Sequence, residues 1–186
     1  MQWFDVGVNV PSDEGELSPM LTRAAEAGVA QIMLTGTDVA ISHQAAKLAD
    51  AYPDQVFSTA GIHPHYAQHA PQDYREQITT LSKQPQVLAI GECGLDFNRD
   101  FSPRDTQLAV FEAQLVLACE TGLPVFLHER DAFEAQYQLL QKYHQHLSGA
   151  LVHCFTGNTE QMQAYLALGC YIGITGWVTD EKRGSD

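Results

Sequence analysis

Long hydrophobic runs are missing from this 186-residue sequence. No apolar stretch approaches the roughly 20 residues that a membrane-spanning helix requires, so no membrane partner is expected. Basic residues are scarce: 10 Lys and Arg stand against 23 Asp and Glu, a net charge of −13. That balance argues against tight, non-specific binding to nucleic acid, which draws on many neutralised phosphates. It leaves room for an enzyme whose bound metal ions supply the local positive charge. The cysteines, Cys93, Cys119, Cys154 and Cys170, are scattered without C-x-x-C spacing. Reduced thiols in a cytoplasmic protein are therefore favoured over disulfides or a zinc cluster. The opening Met1-Gln2-Trp3-Phe4-Asp5 has neither a basic n-region nor a cleavage motif, so no secretory signal is expected.

What is present is alternation. Apolar runs suited to strands occur at Phe4–Val10, Ala30–Leu34, Val56–Ala60, Val87–Ile90, Pro124–Leu127, Ala150–Val152 and Cys170–Ile174. Helical stretches fall between them, near Ser18–Ala27, Val39–Ala51, Tyr74–Lys83, Pro103–Glu120, Ala132–His146 and Thr159–Leu168. The clearest is Pro103–Glu120, where Leu108, Phe111, Leu115 and Ala118 recur at helical spacing. Strict strand–helix alternation predicts an α/β fold with a parallel sheet and helices outside. No linker or low-complexity segment interrupts it, so residues 1–186 are expected to form one domain. Seven strands are visible where eight would close a TIM-type (β/α)8 barrel. After Thr175 only Gly176–Asp186 follow, too few residues for another strand–helix pair. The expectation is an incomplete barrel, with an open doubly wound sheet as the alternative.

Three apolar runs end in chemistry: Glu92, His128 and His153 each follow one. A polar side chain at the last position of a strand points into the mouth of a parallel barrel, where such enzymes hold their active sites. One carboxylate and two imidazoles converging there make a mixed nitrogen–oxygen site for a divalent metal, as in metal-dependent hydrolases. Their ligand atoms are then expected about 3–5 Å apart, because metal–ligand bonds run near 2.0–2.2 Å. Taken singly, each has a plainer reading: an ion-paired glutamate, or a satisfied histidine. His63 and His65, in Gly61-Ile62-His63-Pro64-His65, sit on a turn stiffened by Pro64. They could bind metal, contact phosphate or shuttle a proton, or simply meet solvent. Arg130 has the fork geometry for phosphate, or for an internal ion pair with Asp131 or Glu92. His43, His69, His144 and His146 read as surface residues.

The motifs also resemble a family. Thr35-Gly36-Thr37, Gly61-Ile62-His63-Pro64-His65, Ile90-Gly91-Glu92-Cys93-Gly94-Leu95-Asp96-Phe97, Pro124-Val125-Phe126-Leu127-His128-Glu129-Arg130-Asp131, His153-Cys154-Phe155-Thr156-Gly157 and Tyr171-Ile172-Gly173-Ile174-Thr175-Gly176-Trp177 are similar, in order, to motifs of the TatD-type metal-dependent deoxyribonucleases, within the amidohydrolase-like TIM barrels. The resemblance implies metal-dependent hydrolysis of phosphodiester bonds in DNA, often from the 3′ end, and it implies that Glu92, His128 and His153 are metal ligands. Two departures accompany it. Most of the family opens with Asp-x-His-x-His, where this sequence has Asp5-Val6-Gly7-Val8-Asn9; Gly7 has no side chain to ligate and Asn9 offers a neutral oxygen. In this it resembles the bacterial subgroup called TatD. Family members also continue to a late Glu-Thr-Asp-Ala-Pro strand end, which this sequence stops before, so a fragment or a truncated product is expected.

The leading expectation is thus a nuclease of the 3′–5′ exonuclease type acting on DNA, single-stranded or at 3′ ends. Glu92 and His63 are its candidate catalytic residues. Glu92, His128 and His153 would hold the metal, and His63, His65 and Arg130 the phosphate. The cofactor would be a divalent ion, Mg2+ foremost, with Zn2+ or Mn2+ as alternatives. An amide or ester hydrolase on the same barrel is the second reading, and an inactive remnant the third. Self-association through the open barrel edges is a further expectation.

Overall fold

The computed structural model describes residues 2–179. Seven strands run β1 (Trp3–Asn9), β2 (Val29–Thr35), β3 (Val56–Ala60), β4 (Val87–Asp96), β5 (Val125–Arg130), β6 (Ala150–Val152) and β7 (Tyr171–Ile172). Six helices alternate with them: α1 (Leu17–Glu26), α2 (Val39–Ala51), α3 (Tyr74–Leu81), α4 (Arg104–Thr121), α5 (Phe133–Tyr143) and α6 (Thr159–Ala167). Capping is local and readable. Asp38 accepts from the Ile41 amide at the start of α2, and Asn158 and Gln161 form a reciprocal capping box on α6. Gly122 ends α4 with a left-handed φ of 73°, a conformation that costs glycine little.

All strands pair in parallel and in chain order, β1 to β7. An open doubly wound sheet would reverse its strand order at a switch point, and the described strands show no reversal. The sheet instead curls into a part-barrel. On its inner side Met33, Ala89 and Phe126, from three different strands, pack together with Val6 and Leu151. The curl brings β1 across to the far strands. A Cβ placed on Gly7 would lie 3.2 Å from the Phe126 ring and 3.4 Å from Nδ1 of His153. On the outer side α4 buries Phe111, Leu115 and Ala118 against the sheet, with Ile90, Leu95 and Leu127 in the same cluster. Each such large side chain contributes about 1.5–3 kcal/mol relative to exposure.

Several strand boundaries differ from expectation. The fourth strand does not end at Ile90, nor the fifth at Leu127; their ladder continues to Asp96 and Arg130. Glu92 and His128 therefore lie inside strands and not at their ends. Glycine is the reason. Gly91 and Gly94 have φ of 141° and 135°, backbone that L side chains rarely adopt. The register slips between Gly91 and Cys93, and a Cβ on Gly94 would collide with the His128 carbonyl oxygen. Such a bulge turns Glu92 into the mouth while pairing resumes beyond it. The seventh strand shortens to Tyr171–Ile172, and the stretch after Thr175 begins with a short 3-10 turn at Gly176–Thr179. Residues 180–186 of that stretch lie outside the described residues.

Candidate active site

The carboxylate of Glu92 is the centre of the mouth. Its Oε1 accepts from Nε2 of His153 at 2.7 Å and from Nδ1 of His128 at 3.1 Å, with Nε2 of His63 at 3.6 Å. One ligand atom from each of Glu92, His128 and His153 lies within 4.8 Å of the others, and His63, His65 and His128 form a second such group. The structure thus brings together the five residues singled out at 63, 65, 92, 128 and 153. Arg130 stands on the rim: its Nη1 donates to Oγ1 of Thr156 at 3.1 Å, and Asp131 is 4.0 Å from its Nε. None of His43, His69, His144 or His146 belongs to either group.

Backbone contacts between loops hold these side chains in place. The Glu92 amide donates to the Gly36 carbonyl at 2.7 Å, and the His63 amide to the Thr37 carbonyl at 2.7 Å. The Thr35-Gly36-Thr37 motif is therefore a scaffold for Glu92 and His63. Three buried glutamines do similar work. Gln114 of α4 spans Ile62, accepting from its amide at 2.8 Å and donating to its carbonyl at 3.0 Å. Gln107 spans Asp96 in the same way, at 2.9 and 3.1 Å. Gln136 of α5 accepts from the Leu95 amide at 3.1 Å.

Asp96 is the residue that sequence reasoning passed over. Its Oδ2 accepts from Nε2 of His65 at 2.6 Å and from Nε2 of His128 at 3.3 Å. Its Oδ1 accepts from the amides of Asn98 and Arg99. His128 thus lies between two carboxylates, Glu92 on one ring nitrogen and Asp96 on the other. The signal was available in Gly94-Leu95-Asp96: a second glycine that re-enters the ladder implies a strand ending at Asp96.

Electrostatics follow from this packing. Burial disfavours the charge on Glu92 and Asp96, yet both carboxyls are held well below the usual range. Hydrogen bonds from His128 and His153 outweigh burial for Glu92, and those from His128, the Arg99 amide and His65 for Asp96. Burial likewise opposes the His128 cation, but hydrogen bonds to Asp96 and Glu92 and their negative charge raise its pKa to about 9. His63 is moved the other way. Burial, assisted by the neighbouring His128 and His65, lowers it to about 3 against the attraction of Glu92. With Nδ1 accepting from the His65 amide at 3.1 Å, the neutral ring turns Nε2 toward Glu92.

A metal fits these donors on the structure's own terms. Among the described residues neither buried carboxylate pairs with Arg or Lys; their ion-pair partners are all imidazoles. Two buried anions without a permanent cation are costly, and a divalent ion beside Glu92, His128 and His153 resolves that. The mixed donors suit a catalytic ion with open positions. The mouth around them is a cleft of about 690 Å³ that also reaches Asn98, Arg99, Glu129, Arg130, Thr156 and Trp177.

Comparison with known proteins gives a consistent answer. The family profile described as TatD related DNase matches residues 4–185. The chain is 50% identical over 183 residues to the 3′-5′ ssDNA/RNA exonuclease TatD of Pectobacterium parmentieri, covering 97% of this chain and 70% of that protein. A protein of the same name from Yersinia pseudotuberculosis is 50% identical over 185 residues, covering 98% and 71%. Among solved structures, a TatD homologue from Escherichia coli K12 superposes with a TM-score of 0.88 at 28% identity, covering 97% of this chain and 70% of that one. A TatD-family hydrolase from Entamoeba histolytica gives a TM-score of 0.83 at 28% identity, covering 94% and 65%.

Proposed function

This chain belongs to the family of TatD-related DNases, and from that premise we propose that it is a metal-dependent nuclease removing nucleotides from the 3′ end of single-stranded DNA or RNA. The observation that carries the reading is the convergence of Glu92, His128 and His153 in a cleft roomy enough for a nucleotide. Relatives at 50% identity that are named as such exonucleases support it.

In this reading Glu92, His128 and His153 hold one divalent ion. Such an ion, when bound, withdraws charge from a phosphate oxygen and lowers the pKa of a neighbouring water. The chain's own side chains do the rest. His65 and Arg130 hold and orient the phosphate, Arg130 through its planar fork. His63, kept uncharged by burial, donates from Nε2 and needs no proton exchange to do so. Glu92 gathers those donors and supplies the anionic oxygen by which the ion would be held. We propose Mg2+ as the ion in use; the two imidazoles also suit Mn2+ and Zn2+, so all three belong in the test. We further propose that residues 1–186 act as one barrel unit, that open sheet edges let it self-associate, and that its setting is the cytoplasm, where thiols such as Cys93 and Cys170 stay reduced. Among the described residues no helix is long and apolar enough to cross a membrane.

Single-stranded DNA and RNA oligonucleotides labelled at the 5′ end, incubated with each ion, test the function. A ladder shortening one nucleotide at a time, abolished by chelator, is expected. Internal cleavage, or an intact substrate with every ion, would overturn the reading.

A further inference from the structure

Two arginine–aromatic pairs border the mouth that holds Glu92, His128 and His153. In the loop after β4, the Arg99 guanidinium lies 5.9 Å from the centre of the Phe101 ring. Phe101 is 55% exposed, yet it is anchored, meeting the His65 ring edge-on with centroids 4.7 Å apart. Beyond β7, the Trp177 ring carries the Arg130 guanidinium 5.4 Å from its centre. Arg130 is itself fixed by Thr156, from the loop after β6. The sheet runs in chain order, so the first pair borders the β3–β4 side of the mouth and the second its β5–β7 side. In that order Glu92 on β4 and His128 on β5 come after the His65 anchor of the first pair and before Trp177. Among the described residues Arg99 has no carboxylate at ion-pair distance, and Arg130 has Asp131 only at 4.0 Å.

This placement addresses a difficulty in the sequence. A chain with net charge −13 gains little from long-range attraction to a polyanion. Stacking does not depend on that field: a base on an aromatic or guanidinium plane contributes about 1–3 kcal/mol and tolerates any base. An arginine lying on a ring offers both components at once, a flat surface for the base and a cation for the adjoining phosphate. An unstacked strand can use such platforms, whereas a duplex keeps its base faces covered.

We propose that Arg99–Phe101 and Arg130–Trp177 are two nucleotide-binding platforms, one on each side of the scissile phosphate, and that they select single-stranded nucleic acid. The inference rests on the nuclease reading and deepens it by naming the residues that take the bases.

The test is equilibrium binding, by fluorescence anisotropy of the unaltered chain with chelator present so that turnover does not interfere. The probes are a fluorescein-labelled thymidylate decamer and an abasic decamer with the same number of phosphates. Phe101→Ala and Trp177→Ala should each weaken thymidylate binding by roughly 5- to 100-fold and leave the abasic affinity within about twofold. Phe101→Tyr and Trp177→Phe should restore most of the loss. Arg99→Ala should weaken both probes alike and flatten the salt dependence, as removal of a phosphate contact does. Aromatic variants that weaken both probes by the same factor, or neither, would overturn the platforms while leaving the nuclease reading standing. A parent protein that binds neither probe would overturn both.

Discussion

Nε2 of His128 lies 3.3 Å from Oδ2 of Asp96, while the opposite ring nitrogen faces Glu92 at 3.1 Å. In the neutral ring that a metal would require, Asp96 keeps the Nε2 proton and Nδ1 gives up the one it donates to Glu92, and outer partners of this kind orient metal-binding histidines. Asp96→Asn keeps an oxygen for the Asn98 and Arg99 amides, so the turn should stand. Metal affinity, measured by isothermal titration, should fall by about 10- to 100-fold. An unchanged affinity would show that the Asp96–His128 contact does not orient the ligand.

His128→Ala should abolish metal-dependent cleavage and leave the circular dichroism spectrum nearly unchanged, because the ring lies in the mouth and not among the packed helices. Turnover at the parent rate with equal metal would remove His128 from the site.

Metal should also stabilise the fold by mass action. At a free concentration one hundred times the dissociation constant, binding adds about 2.7 kcal/mol, which for a chain of this size raises Tm by about 5–10 °C. Differential scanning calorimetry with and without chelator reads the shift, and its absence would argue against a site confined to the folded state.

Gly94→Ala tests the link between backbone and site. At φ 135° a side chain is strained by about 1–3 kcal/mol, and the added carbon would meet the His128 carbonyl. Stability and metal affinity should therefore fall together. A loss of stability with metal affinity intact would separate the bulge from the site.

The sheet edges make a solution prediction. Among the described strands β1 pairs only with β2, and β7 only with β6. Trp3, Phe4, Tyr171 and Ile174 are exposed beside them. Open edges recruit other strands, so a protein of these 186 residues should exceed monomer mass in multi-angle light scattering. A monodisperse monomer would show that the edges are protected.

Much of this was legible in the sequence for physical reasons. Strand–helix alternation is periodic, so β3, α2 and β6 coincide with their expected bounds. The histidines of the mouth stood out because an imidazole beside a buried apolar run needs a reason. The path of β4 was obscured because Gly91 and Gly94 read as loop formers, whereas here they bend a ladder that continues. That hid Asp96. Gln107, Gln114 and Gln136 gave no signal, since a glutamine on a helix is ordinarily a surface residue and only tertiary packing sets it against a strand backbone. The pairing of Arg130 with Trp177 joins residues from two distant segments and has no local signature.

The chain order of the sheet bears on how the molecule is made. Each strand finds its partner in the one just synthesised, so a nascent chain can add βα units in the order they leave the ribosome. The side chains of the centre span residues 63–153, which leaves Glu92 without one of its three imidazoles until β6 has followed. Until then the proposed set of ligands is incomplete. If the proposed ligands hold the metal, a complete site forms only once β6 has joined the sheet.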